Sequence, residues 1–168
     1  MLACTHQHNA QHFTPQEVTA RLVAAKEHCS KRHIRFTPLR QQIYTLVLKA
    51  NKPVGAYDLI TQLQQERVSA ITDGNATKNV APPTVYRSLE FLLSEGLIHQ
   101  LTSINAYVPC CHPREQHAAA FLICEHCHGV QECSTLPVQE MMSFAEQDVG
   151  FQVARSVIEL SGRCQSCQ

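Results

Sequence analysis

Two Cys-x-x-Cys pairs, Cys124/Cys127 in "FLICEHCHGV" and Cys164/Cys167 in "GRCQSCQ", constrain this chain more than any other feature. Four thiolates are the complement of a closed tetrahedral zinc site. Thirty-six residues separate the pairs, so the fold must return the chain to its starting edge. Between them lie "VQEC", a helical pattern carrying Val138, Met141, Met142 and Ala145, and the strand-like "FQVARSVIEL". Strand, strand, helix, strand predicts a small α+β unit whose first and last strands are neighbours, with a zinc stapling the last residues to the sheet. Thioredoxin-like redox chemistry is the rival reading of one such pair, but it does not call for a second.

The compartment supports metal over disulfides. Nine cysteines and ten histidines occur in 168 residues. The opening "MLACTHQHNAQHF" has neither the basic region nor the apolar run of a secretory signal, and no apolar stretch reaches membrane-spanning length. The expectation is a soluble cytoplasmic protein whose thiols stay reduced. Charged residues make up 17% and apolar ones 44%, a balance that excludes extended disorder.

Net charge is zero, yet it sums two unlike halves. Residues 1–100 hold eleven Lys/Arg against seven Asp/Glu, and residues 101–168 hold three against seven. An electropositive first half points toward a polyanion.

That half reads as a run of helices. Val18, Leu22, Val23 and Ala25 fall at helical spacing between Glu17 and Ser30. In "RFTPLRQQIYTLVLKA", Thr37 is placed as N-cap and Pro38 at the first helical position, ahead of Ile43, Leu46 and Val47. "VGAYDLITQLQQE" sets Leu59, Ile60 and Leu63 on one face of a third helix. Residues 67–81 turn polar around an Asp-Gly signal and read as a surface loop. "PPTVYRSLEFLLSEGL" restarts a helix capped at Gly96, with Val85, Leu89, Leu92 and Leu93 inward and Thr84, Tyr86, Arg87 and Ser88 near the exposed first turns. Two strand-like runs in "LIHQLTSINAYVP" then make a hairpin around Thr-Ser-Ile-Asn.

Helices followed directly by a hairpin are the order of a winged helix-turn-helix, whose recognition helix enters the major groove with its N-terminal side chains toward base edges. Arg87 suits a bidentate contact to guanine, while Tyr57, Tyr86 and Thr84 suit phosphate or thymine-methyl contacts. Solvation of a helix surface explains Arg87 and Tyr86 equally well from spacing alone.

"RFTPLRQQIYTLVL", "YDLITQL", "PPTVYRSLEFLLSEGLIH", "NAYV" and the two cysteine pairs together resemble the ferric uptake regulator family, and most closely its zinc uptake regulator branch, from about Arg21 onward. The resemblance implies a winged-helix DNA-binding domain over residues 1–109, with 1–14 a mobile lead, and an α/β dimerisation and metal-binding domain over 110–168. It implies a homodimeric, zinc-responsive repressor of zinc uptake genes that binds double-stranded, AT-rich, palindromic operators. Neither enzymatic activity nor a small organic substrate or a membrane is implied.

The resemblance also implies a regulatory zinc held by His99, Cys110, His117 and Glu132, near the expected junction of the domains, besides the structural zinc of Cys124, Cys127, Cys164 and Cys167. That makes about two zinc ions per chain. The mixed sulfur, imidazole and carboxylate set suits zinc, whereas iron or manganese sensing favours ligands without sulfur. Filling the site is expected to fix the wing and so favour DNA-competent arrangements of the dimer. In "PCCHPREQH", Cys110, Cys111 and His112 stand side by side, so the register of the sulfur ligand stays open. Cys4, His6, His8 and His12 form a further candidate metal cluster, while Cys29 reads as core and Cys133 as structural or idle.

Alternatives are an iron-, manganese- or peroxide-responsive member of the same family, a zinc storage or delivery protein, and a zinc enzyme built on His99, His117 and Glu132. The last would keep an open coordination position, which a fourth ligand closes.

Overall fold

The computed structural model describes residues 13–72, 80–113, 120–133, 138–153 and 156–168; for 68–72 and 138–139 it describes the backbone alone. The chain divides into two compact units, one within residues 12–114 and one within 115–168. Together they realise the expected winged helix-turn-helix and small α/β unit.

The first unit opens with α1 (Pro15–Lys31), which starts where its residues dictate. Thr14 accepts from the Glu17 amide while the Glu17 carboxylate accepts from the Thr14 amide, a reciprocal capping box followed by Pro15. Thr14 is thus the helix cap; residues 1–12, with Cys4, His6, His8 and His12, lie outside the described residues. Val18, Ala25 and Cys29 are buried as the period requires, but Val23 is half-exposed, since a helical stripe that includes 18, 22, 25 and 29 turns position 23 toward solvent.

Helix α2 (Pro38–Lys49) is capped by Thr37 and buries Ile43, Tyr44, Val47 and Leu48. A two-residue strand β1 (Val54–Gly55) precedes α3 (Ala56–Thr72). The expected loop at 67–81 is corrected here: α3 runs on to Thr72, because no helix-breaking residue precedes Asp73-Gly74. Residues 73–79 of that loop lie outside the described residues.

Helix α4 (Pro82–Ser94) buries Val85, Leu89, Phe91 and Leu92 and ends at Gly96, whose φ of 63° suits glycine. Strands β2 (Ile98–Leu101) and β3 (Ala106–Pro109) form the wing hairpin, turning at Asn105 in the left-handed region with φ 48°. Strand β3 also pairs β1, which the sequence did not announce, giving the order β1-β3-β2. One core unites Leu59, Leu63, Leu89, Leu92, Ile43 and Val47 from three helices with Ile98 and Tyr107 of the wing.

In the second unit, β4 (Ala120–Cys124) lies between β5 (Val130–Cys133), antiparallel, and β6 (Ile158–Gly162), parallel. First and last strands are thus neighbours, as expected, although among the described residues β6 takes in only the last three residues of the strand-like stretch and runs two residues beyond it. The helical segment is short: α5 (Val138–Ser143) passes into a five-residue π-helical turn, Phe144–Asp148. Met141 is exposed, and with Phe144, Val149, Phe151, Val157, Leu160 and Leu122 it makes the described residues of this unit rich in exposed apolar side chains. Leu122 and Leu160 are register partners on adjacent strands, so they stand on one face of the sheet.

Candidate metal centre and nucleic-acid interface

The parallel pairing of β4 with β6 sets Cys124 opposite Gly162, two residues before Cys164. This register is what delivers both cysteine pairs to one end of the sheet. After Cys124 the chain makes a tight knuckle: His128 donates its amide to the Cys124 carbonyl at 2.9 Å, and the Cys124 amide donates to the Gly129 carbonyl at 2.9 Å. His128 takes the left-handed conformation, φ 58°, that closes this turn. The Glu125 amide donates to the Gly162 carbonyl at 2.8 Å, locking the knuckle to the strand that leads into the second pair. A second turn follows at Cys164, where the Cys167 amide donates to the Cys164 carbonyl at 2.9 Å.

The four Sγ atoms of Cys124, Cys127, Cys164 and Cys167 lie within 4.8 Å of one another. Cys127 Sγ and Cys164 Sγ are 3.8 Å apart. A tetrahedral ion with bonds of about 2.3 Å sets its sulfurs about 3.8 Å apart, whereas a disulfide needs about 2.05 Å. Donor type and spacing both fit zinc. The cluster is also electrostatically prepared: N–H donors of Cys127, Cys164 and His126 hold the Cys124 thiol down at about 5. In contrast, the thiol of Cys167 is pushed up to about 12 by its hydrogen bond with Cys164, by burial and by the neighbouring Cys127 and Cys124. Extra negative charge in this cluster is costly until a cation balances it.

Among the regulatory candidates, His99 sits on β2, opposite Val108. Cys110 follows β3 directly, fully buried, and its amide donates to the Leu97 carbonyl at 3.1 Å. Glu132 lies on β5, opposite Phe121, and is a buried carboxylate in the second unit. His117 lies outside the described residues. The neighbouring cysteine differs from Cys110 in setting: Cys111 is partly exposed and its sulfur stands 2.9 Å from His112 Nδ1. Cys29 is core, and burial pushes its thiol up, away from reactivity.

The nucleic-acid candidates occupy the first turns of two helices. Tyr57 is on the first turn of α3 and is 76% exposed. Thr84, Tyr86 and Arg87 are exposed on α4. Ser88 departs from expectation: it is buried and bonds back to the Thr84 carbonyl at 2.8 Å, because position 88 shares the inward face with Val85 and Leu92. Sequence reading missed Arg21, on α1, which donates to the Cys110 carbonyl at 2.8 Å and the Cys111 carbonyl at 3.3 Å across 89 and 90 residues.

A winged helix whose fourth helix presents exposed Thr84, Tyr86 and Arg87 in its first turns, in one chain with a sheet that gathers four thiols, defines a two-unit class of metal-binding, DNA-binding proteins. The sequence profile of the Ferric uptake regulator family matches residues 31–161, and the chain belongs to that family. It is 35% identical over 156 residues to the zinc uptake regulation protein of Escherichia coli (strain K12), covering 92% of this chain and 83% of the relative. The zinc uptake regulation protein of Mycobacterium tuberculosis (strain ATCC 25618 / H37Rv) is 28% identical over 138 residues, covering 80% and 95%. Among solved structures, a zinc uptake regulator complexed with zinc and DNA superposes with a TM-score of 0.75 at 32% identity, covering 92% of this chain and 96% of that one. The crystal structure of holo XcZur gives 0.74 at 36% identity, with 88% and 96% covered. Among the described residues no helix is long and apolar enough to cross a membrane.

Proposed function

We propose that this chain is a zinc-responsive transcriptional repressor, not an enzyme, that works in the cytoplasm and binds operator DNA of zinc uptake genes as a homodimer when its regulatory site is filled. The observation that carries this reading is the similarity, along nearly the whole chain, to a zinc uptake regulator solved with zinc and DNA. The residues support it chemically. Cys124, Cys127, Cys164 and Cys167 hold the structural ion, with the N–H donors around Cys124 preparing its thiolate. His99, Cys110, His117 and Glu132 are the proposed ligands of the regulatory ion, and the sulfur of Cys110 favours zinc over iron or manganese. Bound zinc supplies short, directional bonds that hold its ligands in one geometry.

Two of those ligands, His99 and Cys110, stand on and just beyond the wing strands, so their ordering bears directly on the DNA-binding unit. Restricting that unit to DNA-competent arrangements raises its apparent affinity for DNA in proportion to the rise in the competent fraction. Tyr57, Thr84, Tyr86 and Arg87 are the proposed DNA contacts, Arg87 reading a base edge. The exposed apolar residues of the second unit, Leu122, Leu160, Phe144 and Phe151 among them, suit burial against a second copy.

The test is a gel-shift titration of an AT-rich palindrome selected from a random pool, with free zinc buffered. Specific binding is expected to vanish on chelation and return with zinc. Binding that ignores zinc, or that returns with iron or manganese alone, would overturn the reading.

A further inference from the structure

We infer that Arg21 is a positioning residue for the regulatory ligand Cys110, gripping from helix α1 the backbone that carries this thiol. The inference rests on the proposed assignment of Cys110 as a zinc ligand. Its physical basis lies wholly within the first unit. The two terminal nitrogens of the Arg21 guanidinium donate separately to consecutive carbonyls, Cys110 at 2.8 Å and Cys111 at 3.3 Å. A guanidinium presents such donors in a rigid fork, so it fixes the orientation of the peptide as well as its distance. The other side of the same residue is held too, since the Cys110 amide donates to the Leu97 carbonyl at 3.1 Å. Leu97 is itself buried and anchored to the end of α4, its amide N–H donating to the Leu92 carbonyl at 3.0 Å. Cys110 is therefore clamped between α4 on its N–H side and α1 on its C=O side. His99 comes two residues after Leu97, so the clamp also fixes the Cys110 backbone against the strand that carries His99.

The grip has a firm base. Arg21 lies three residues after Val18 and four before Ala25, both buried, and so shares the inward face of α1. Its guanidinium also lies 4.3 Å from the centre of the Phe13 ring, a contact separate from the two carbonyl bonds that hold Cys110. A ligand whose backbone is already set gives up less conformational freedom on binding metal. Groups that orient ligands in this way typically contribute 10- to 100-fold in metal affinity.

The experiment uses the full-length dimer carrying its structural zinc. Affinity for the second, weaker zinc is measured by competition with a chelating fluorophore for native protein and for Arg21→Met, Arg21→Lys, Phe13→Leu and His99→Ala. Arg21→Met is expected to weaken that zinc about tenfold or more. Arg21→Lys, with a point charge able to serve one carbonyl, should fall between Met and native. Phe13→Leu keeps the fork and should bind zinc as native protein does. Arg21→Met within twofold of native, with melting temperature lowered alike in zinc-free and zinc-loaded protein, would show a merely structural tie and overturn the inference. If Arg21→Met does not fold, Arg21→Lys decides: affinity equal to native overturns it and a loss supports it. Phe13→Leu as weak as Arg21→Met would also overturn it, assigning the effect to α1 packing. Persistence of the weaker zinc in His99→Ala would instead overturn the ligand assignment.

Discussion

Cys127 Sγ stands 3.8 Å from Cys164 Sγ, too far for a bond between them and at the separation a shared tetrahedral ion imposes. Two turns whose cysteines are 37 positions apart in sequence are brought to one end of the sheet by the parallel pairing of β4 with β6. Among its described residues the second unit buries only a few apolar side chains, Ala120, Phe121, Ile123, Cys124 and Val130. Binding free energy at a structural site is folding free energy, on the order of 10 kcal/mol in small zinc modules. Cys124→Ser or Cys167→Ser is therefore expected to unfold the second unit and lower zinc content by one ion per chain, measured by circular dichroism and atomic emission. A folded dimer with full zinc content in either variant would disprove a structural role.

Acid should release this ion along a defined slope. In the metal-free chain at pH 7, Cys124, held at about 5, is ionised, while Cys167, pushed up to about 12, keeps its proton. Zinc must expel at least that proton, so affinity rises with pH, by about tenfold or more per unit between pH 6 and 8. The depressed Cys124 thiol acts in the same direction on the metal-free fold. Its contribution is complete above the ordinary thiol value and is lost as pH falls toward about 5. Chelator competition at several pH values measures the slope; a pH-independent affinity would contradict the thiolate cluster.

How much of this was legible in the sequence depended on the range of the interaction. Local chemistry read well: Thr37 before Pro38, Gly96 after α4 and the Asn105 turn each act within a few residues. The cysteine spacing was legible as far as the convergence of the two pairs on one cluster of four sulfurs, because two matching Cys-x-x-Cys turns supply four soft donors to one centre. Periodicity alone misjudged Val23 and Ser88, since one face is chosen by tertiary packing and not by apolar character. The extension of α3 to Thr72 was hidden by a polar composition that still contains no helix breaker. Strand β1 is two residues long and exists through its pairing with β3, and the Arg21 fork spans 89 residues, so neither left a local signal.

The recognition helix offers a paired test of that face assignment. Arg87 is exposed while Ser88, its neighbour, is buried and bonded to the Thr84 carbonyl. Arg87→Ala should leave stability nearly unchanged and cost about 1–3 kcal/mol at one base pair of the operator, relaxing discrimination there. Ser88→Ala should do the reverse, lowering stability by about 1 kcal/mol through its lost hydrogen bond and leaving base preference intact. Thermal melts and binding to a set of single-site operator variants separate the two. Equal losses on operator and random DNA for Arg87→Ala would show that it does not read a base.

Sensing should come apart from structure at the wing. His99 and Cys110 belong to the first unit and to neither cysteine pair, so His99→Ala or Cys110→Ser should leave the four-thiol zinc and the dimer in place. Each removes one proposed ligand of the regulatory ion, and loss of zinc-dependent operator binding is the expected result. Cys111→Ser is the discriminating control. Cys110 is buried with its amide bonded to Leu97, whereas Cys111 is partly exposed and lies against His112, so the buried sulfur is the one the fold holds in a fixed place. Gel shifts against buffered free zinc, with zinc counted per chain, should show Cys111→Ser responding as native and Cys110→Ser not at all. Loss of response in Cys111→Ser alone would move the ligand by one position and leave the mechanism standing. A native response in all three variants would remove the regulatory site proposed for His99, Cys110, His117 and Glu132.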